Sequence, residues 1–301
     1  MAESAAITVV PVTGVIGAEV RGLDLRRPMT DEQRHELRSA LLRHHVLFFR
    51  GQPLTEDEQL AVATQFADPM VPNTGGGGYG STSAQASART SGPFVTLQDT
   101  DESPPKADHW HSDVPFAAEP PEFAVLHMLS APDVGGDTMW VNMHAVFDRL
   151  SPTMQSVLAP LEVLVGIGTP VKHGYLGTPG GEERYQQLLR ETPPTRHPLV
   201  RIHPETGRPS LFYPGVEFVR GIAGMHPAES DVILGYLRSR LDDPNCQVRW
   251  RWSEHDVVIW DERCTNHRAL SDHYPRYRCV RRCLAGQSAP RGAPATAGAV
   301  P

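Results

Sequence analysis

Trp110-His111-Ser112-Asp113 is a stretch whose residue types and spacing can do chemistry. On an extended strand, side chains two residues apart face the same side. His111 and Asp113 could then ligate one ion, through an imidazole nitrogen and a carboxylate oxygen. Alone the pair is a weak signal, because His-x-Asp arises by chance and a hydrogen-bonded surface pair explains it as well. A third ligand must come from elsewhere, and of the 14 histidines the best placed is His267. It closely follows the apolar run Val257-Val-Ile-Trp260, a strand that would hold it near a sheet core. Two histidines and one carboxylate on one side of an ion leave its other positions open, which suits a non-haem Fe(II) oxygenase. His109 could face the same side, although a supporting or surface histidine is the simpler reading.

Downstream lies a second constellation, Arg276-Tyr-Arg278-Cys-Val-Arg-Arg282. If this is a strand, Arg278, Val280 and Arg282 share a face. The two arginines then stand about 13 Å apart, at about 3.3 Å per residue. Guanidinium groups turned into an interior are costly unless each meets an anion. One could clamp the distal carboxylate of a 2-oxo diacid through a bidentate pair, and the other an anionic substrate. The competing reading is a solvated basic edge strand.

These residues need a rigid frame, and the chain offers short β-like runs. They are 7–11, 45–50, 122–128, 138–141, 198–203, 247–252, 256–260 and 277–284, and several are bounded by Pro, Gly, Asp or Asn. Helices are predicted from Thr30, with Gln33 completing a capping box, to about His44, and from Thr55 to about Phe66. Others are expected after Ser151, over Gly181–Glu191 and over His226–Leu241. The pattern is mainly β with helical inserts, in one domain over 1–286. Residues 72–92 read as a flexible loop; the glycine run 75–80 lacks the lysine of a phosphate-binding loop. Residues 168–197 read as an insert or lid, and 287–301 as a disordered tail.

The chain has 301 residues, 40% hydrophobic, with net charge −7. That is enough for one large β-centred domain, and the charge argues against a nucleic-acid partner. No leader or membrane-spanning run is visible, so the cytoplasm and no membrane partner are expected. Cys246, Cys264, Cys279 and Cys283 are then reduced thiols.

Taken in order, the motifs resemble the TauD/TfdA family of Fe(II)/2-oxoglutarate-dependent dioxygenases. They are Gly14-Val-Ile-Gly-Ala-Glu-Val-Arg-Gly-Leu-Asp-Leu25, Val46-Leu-Phe-Phe-Arg-Gly-Gln52, Trp110-His-Ser-Asp-Val-Pro-Phe116, Gly135-Gly-Asp-Thr-Met-Trp140, His197-Pro-Leu-Val-Arg-Ile-His-Pro-Glu-Thr-Gly207 and Asp256-Val-Val-Ile-Trp-Asp261 through Arg282. The resemblance covers about Ile7 to Gly286. It implies a double-stranded β-helix, or jelly roll, with helices on one side. It implies Fe(II) held by His111, Asp113 and His267, and the distal carboxylate of 2-oxoglutarate held by Thr138 and Arg278. Arg282 would hold the anionic group of a small organic substrate such as a sulfonate, sulfate ester or carboxylate, with Val114 also on the substrate side. O2 is the third reactant, Trp260 matches an aromatic near the site, and a homo-oligomer is expected. Taurine-type and alkylsulfate-type members carry a substrate-facing histidine just after the second helix, and taurine enzymes an asparagine four residues before the first ligand. This chain has Phe66-Ala-Asp-Pro-Met-Val-Pro-Asn73 and Ala107 there, which counts against taurine. Two other readings are a zinc-dependent hydrolase or isomerase on a similar sandwich, which would have no use for Arg278, and a non-catalytic binding member of the fold.

Overall fold

Thr30 and Thr55 each accept a hydrogen bond from the backbone three residues on, and Gln33 and Glu58 return it, so two capping boxes start the first two helices. In the computed structural model, which describes residues 7–71, 88–167 and 179–293, the helices fall close to where the sequence predicts them. They are α1 (Asp31–His44), α2 (Glu56–Thr64), α3 (Met143–Asp148), α4 (Pro152–Leu158), α5 (Gly181–Glu191) and α6 (Pro227–Arg240). The strands are β1 (Thr8–Pro11), β2 (Ala18–Arg21), β3 (Val46–Phe49), β4 (Ala88–Ser91), β5 (Phe94–Asp99), β6 (Pro121–Ser130), β7 (Thr138–Asn142) and β8 (Glu162–Val165). They continue as β9 (Thr195–Pro198), β10 (Val200–Ile202), β11 (Pro209–Leu211), β12 (Val219–Ile222), β13 (Gln247–Trp250), β14 (Val257–Asp261), β15 (Thr265–Ala269) and β16 (Arg278–Gln287).

Successive strands alternate between sheets. β6, β14 and β16 lie in an eight-stranded sheet of order β1-β2-β3-β14-β6-β16-β5-β4. β7, β13 and β15 form a separate sheet of order β13-β7-β15, and β12-β8-β9 and β10-β11 complete the smaller sheets. That alternation is the winding of a jelly roll, and only the β2–β3 pairing is parallel among the described pairs. β3 and β14 are buried at every residue. One face of the large sheet packs with the smaller sheets, through Val280, Leu284, Trp140 and Trp260. The other is covered by α1 and α2, where Phe123, Val125, Ile259 and Cys283 meet Leu37, Leu41 and Val62. Burying both faces explains why these strands read as continuous apolar runs rather than alternating ones.

β16 lies between β6 and β5, so its arginines are not on a sheet edge. Arg281 points to the helical side, where its Nε donates to Gln59 Oε1 at 2.7 Å and its Nη2 to the Leu54 carbonyl at 2.9 Å. Arg278 and Arg282 therefore share the opposite, inner face, as the period of two requires.

The structure departs from the sequence reading in several places. Residues 110–113 are not on a strand; His111 makes only an isolated bridge to His267. The run 198–203 splits at Leu199, its first part pairing with β8 and its second with β11. Residues 72–87 lie outside the described residues, and 88–91 of that expected loop pair with β5 as β4. Of the expected lid, 168–178 lies outside the described residues, whereas 181–191 is helical and 195–198 is a strand. Of the expected tail, 294–301 lies outside them. Gln287 still belongs to β16, and the Ile202 N–H donates to the Arg291 carbonyl at 2.7 Å. No described helix is long and apolar enough to cross a membrane.

Candidate active site

Two segments far apart in the chain run antiparallel where the chemistry-bearing residues meet. The Ala269 N–H donates to the Ala107 carbonyl at 2.9 Å, the His111 N–H to the His267 carbonyl at 2.9 Å, and the His267 N–H to the His111 carbonyl at 2.7 Å. This bridge, rather than a shared strand, sets the two imidazoles side by side, with ring centroids 4.2 Å apart. The chain then turns sharply, and Val114 takes φ 45°, a left-handed conformation that is rare for a β-branched residue and marks local strain. Gly215 fixes the segment from outside: a Cβ there would stand 2.1 Å from the Trp110 carbonyl oxygen, so only glycine permits the approach.

The turn brings Asp113 to the histidines. One donor atom from each of His111, Asp113 and His267 lies within 4.8 Å of the others. All three residues are at most 9% exposed. His111 Nδ1 is 2.8 Å from the His109 carbonyl, which accepts its proton and leaves Nε2 as the free lone pair. Burial and the neighbouring His267 hold His111 well below the usual imidazole pKa. Burial brings His267 down to about 4, so both rings are neutral at neutral pH. Burial alone would raise the Asp113 carboxyl, but the charge of the adjacent Arg282 guanidinium outweighs it and holds the group below its usual pKa. Asp113 Oδ2 and His267 Nδ1 are buried without a hydrogen-bond partner. Two neutral imidazoles, one carboxylate and unpaired donor atoms make a set that fits a divalent cation of the Fe(II) type.

On one side of this cluster β7 pairs with β15, His267 opposite Trp140 and Ala269 opposite Thr138. Thr138 Oγ1 accepts from Arg278 Nη2 at 3.4 Å and from Trp252 Nε1 at 2.9 Å. Arg278 also donates through Nε to the Gly136 carbonyl at 3.2 Å. Its Nη1 lies 3.6 Å from Asp99. On the other side Arg282 is ion-paired with Asp113. Val114 is buried beside Trp110 and Phe116 in the apolar cluster. The imidazoles and the carboxylate converge, Thr138 touches Arg278, and Arg282 reaches Asp113.

Residues 8–284 match the model of the "Taurine catabolism dioxygenase TauD, TfdA family". The chain belongs to the TauD/TfdA family. It is 33% identical over 284 residues to an alkylsulfatase of Acinetobacter baylyi, covering 92% of this chain and 84% of that protein. It is 32% identical over 289 residues to an alpha-ketoglutarate-dependent sulfate ester dioxygenase of Pseudomonas putida, covering 92% and 89%. The crystal structure of a taurine dioxygenase from Burkholderia xenovorans superposes with a TM-score of 0.76 at 29% identity, covering 95% of this chain and 93% of that one. As a TauD/TfdA member the chain is an Fe(II)- and 2-oxoglutarate-dependent dioxygenase, an oxidoreductase.

One residue of this TauD/TfdA site went unnoticed in the sequence. Glu262 is 2% exposed and accepts from Trp260 Nε1 at 2.7 Å and from the Asp113 backbone N–H at 3.1 Å. Burial and the adjacent Asp113 charge push its carboxyl well above the usual range. It joins Trp260, whose ring centroid is 5.0 Å from that of His267, to the backbone of Asp113. The available signal was a carboxylate between a core strand and His267, a place where a charged group must be paired or neutral.

Proposed function

We propose that His111, Asp113 and His267 hold Fe(II), that Thr138 and Arg278 hold the distal carboxylate of 2-oxoglutarate, and that Arg282, with Val114 beside it, receives a small anionic organic substrate. The substrate class we favour is a sulfate ester. The observation that carries this reading is the placement of two inward arginines on β16, one bonded to Thr138 and one reaching Asp113. Two of the relatives at 32–33% identity are an alkylsulfatase and a sulfate ester dioxygenase, which supports the choice of headgroup.

Bound Fe(II) with 2-oxoglutarate and O2 supplies the oxidation of a substrate C–H bond, with release of succinate and CO2. The chain's own residues bind and orient. The planar fork of Arg278 suits a carboxylate bidentately, with Thr138 as a second donor. Arg282 fixes the substrate anion so that one carbon faces the cluster. Trp140, opposite His267 across the strand pair, and Trp260, with its ring centroid 5.0 Å from that of His267, are buried and shield the cluster from bulk water. If the carbon that receives the hydroxyl also bears the sulfate oxygen, the C–O bond breaks, leaving an aldehyde and free sulfate.

A panel of sulfate esters, sulfonates and carboxylates, assayed with Fe(II), ascorbate and 2-oxoglutarate, tests this. Succinate release coupled one-to-one with sulfate from an alkyl sulfate is expected. Sulfate release without consumption of 2-oxoglutarate would mean a hydrolase, and succinate coupled only to carboxylates would overturn the headgroup choice. Glu262 gives a separate check. Glu262→Gln keeps shape and neutrality and should retain iron affinity, whereas Glu262→Ala should weaken it roughly 10–100-fold, the usual cost of losing a residue that supports a ligand. Unchanged affinity in the alanine variant would show that Glu262 does not position Asp113. A cytoplasmic homo-oligomer completes the proposal. The four buried, unpaired cysteines agree with a reducing compartment, and light scattering on the purified chain reads the oligomeric state.

A further inference from the structure

His45 ends α1 in a left-handed conformation with φ 65°, a C-cap position at which glycine is the default. A histidine there carries a local strain of about 1 kcal/mol or more, yet its ring is turned inward and is only 2% exposed. Its Nδ1 lies 3.4 Å from Cys264 Sγ. His144, on α3, is fully buried beside it, with ring centroids 5.3 Å apart. His144 Nδ1 lies 2.6 Å from the Pro209 carbonyl, which takes its proton. His144 Nε2 is then a bare lone pair, and it is buried with no hydrogen-bond partner. Cys264 is fully buried as well, in the turn between β14 and β15.

We propose that His45, His144 and Cys264 form a second metal site, for Zn(II), distinct from the catalytic cluster. One donor atom of each lies within 4.8 Å of the others. Two nitrogens and a thiolate suit a borderline-soft ion. With Zn–S of about 2.3 Å and Zn–N of about 2.0 Å, a tetrahedral angle puts sulfur and nitrogen about 3.5 Å apart, close to the separation of His45 and Cys264. His144 Nε2 stands in this donor set buried and without a hydrogen-bond partner. An ion serves all three. Asp261, the adjacent carboxylate, is not needed as a ligand. Its oxygens already accept from the Arg263 side chain at 2.9 and 2.6 Å and from His203 Nε2 at 3.0 Å.

Burial lowers His45 to about 3 and His144 to about 4, so both rings are neutral and ready to ligate. Burial and Asp261 push the Cys264 thiol up, so ion binding must displace one proton, from that sulfur to solvent. The ion would tie the end of α1, the start of α3 and the turn that carries Glu262 and leads to His267.

Co(II) in the full-length chain provides the probe. His111→Ala/Asp113→Ala, expressed in cobalt-supplemented medium, lacks the catalytic cluster. It is expected to retain one equivalent of Co(II) with a near-ultraviolet thiolate-to-cobalt band. Adding Cys264→Ser should remove both ion and band. If that protein does not fold, adding His144→Gln instead carries the same readout. No bound cobalt, cobalt without the thiolate band, or a band that survives Cys264→Ser or His144→Gln would each overturn the site.

Discussion

Asp113→Ala should leave the protein without stoichiometric iron and without measurable turnover. The loss should lie well beyond the roughly 100-fold that follows removal of a residue that merely supports a ligand. Asp113 is anionic at neutral pH because the Arg282 guanidinium beside it outweighs its burial, and it is the only charged donor of the three. Without it, two neutral imidazoles face the partly buried Arg282 guanidinium, an arrangement that repels a cation. The substitution also removes one ion-pair partner of the partly buried Arg282, so some loss of stability should accompany the loss of iron. Asp113→Asn keeps the volume and separates these effects: it should fold and still bind little iron. Iron content by metal analysis, together with far-UV circular dichroism, makes the comparison. Full iron loading and turnover in either variant would remove Asp113 from the site.

The second large effect concerns Arg282. Arg282→Ala should raise the KM for the anionic substrate about 10–150-fold, since a hydrogen bond to a charged group contributes about 1.5–3 kcal/mol. Consumption of 2-oxoglutarate without substrate should continue. Arg278→Ala should do the reverse, raising the KM for 2-oxoglutarate and suppressing both coupled and uncoupled consumption. Arg282→Lys should recover little, because the point charge of an ammonium lacks the fork that grips a sulfate or carboxylate. The contact between Arg282 and Asp113 adds a second signature. Removing the guanidinium lets the Asp113 pKa rise, so iron binding in Arg282→Ala should weaken on acidification earlier than in the parent. Equal loss of coupled and uncoupled turnover at every pH would deny Arg282 a role confined to substrate.

Much of this arrangement could be read before any coordinates. Thr30 with Gln33, and Thr55, announce helix starts through local hydrogen bonds that need no tertiary context. Val46-Leu-Phe-Phe49 and Val257-Val-Ile-Trp260 declare strands buried on both faces. That Arg278 and Arg282 share a face follows from the period of two, but that the face is the inner one follows only from the place of β16 between β6 and β5. The placement of His111 and Asp113 follows from no such period. A strand would put the pair on one face, but the pair is held by a bridge to His267, a carbonyl approach that only Gly215 permits and a strained Val114. None of those contacts is local, so no spacing rule records them. Glu262 escaped for a related reason: it becomes interesting only once Trp260 Nε1 and the Asp113 backbone converge on it from different parts of the fold. The split at Leu199 reflects competition between two partner strands, which a single apolar run cannot express.

β16 keeps one unbroken register with β5 from Arg278 to Cys283, while its register with β6 shifts between Cys279 and Val280. Both guanidinium groups thus ride on one stiff rod inside a sheet. The backbone spacing between the two proposed anion grips is then a fixed yardstick that loops cannot stretch. Diversification of such an enzyme is then free to alter what lies beyond the headgroup, in length, branching and bulk, but not how far the headgroup sits from the cosubstrate. Moving the second grip by two residues along the rod would shift it by about 6.6 Å on the same face. That step is coarse enough to exchange one class of molecule for another rather than to adjust within a class.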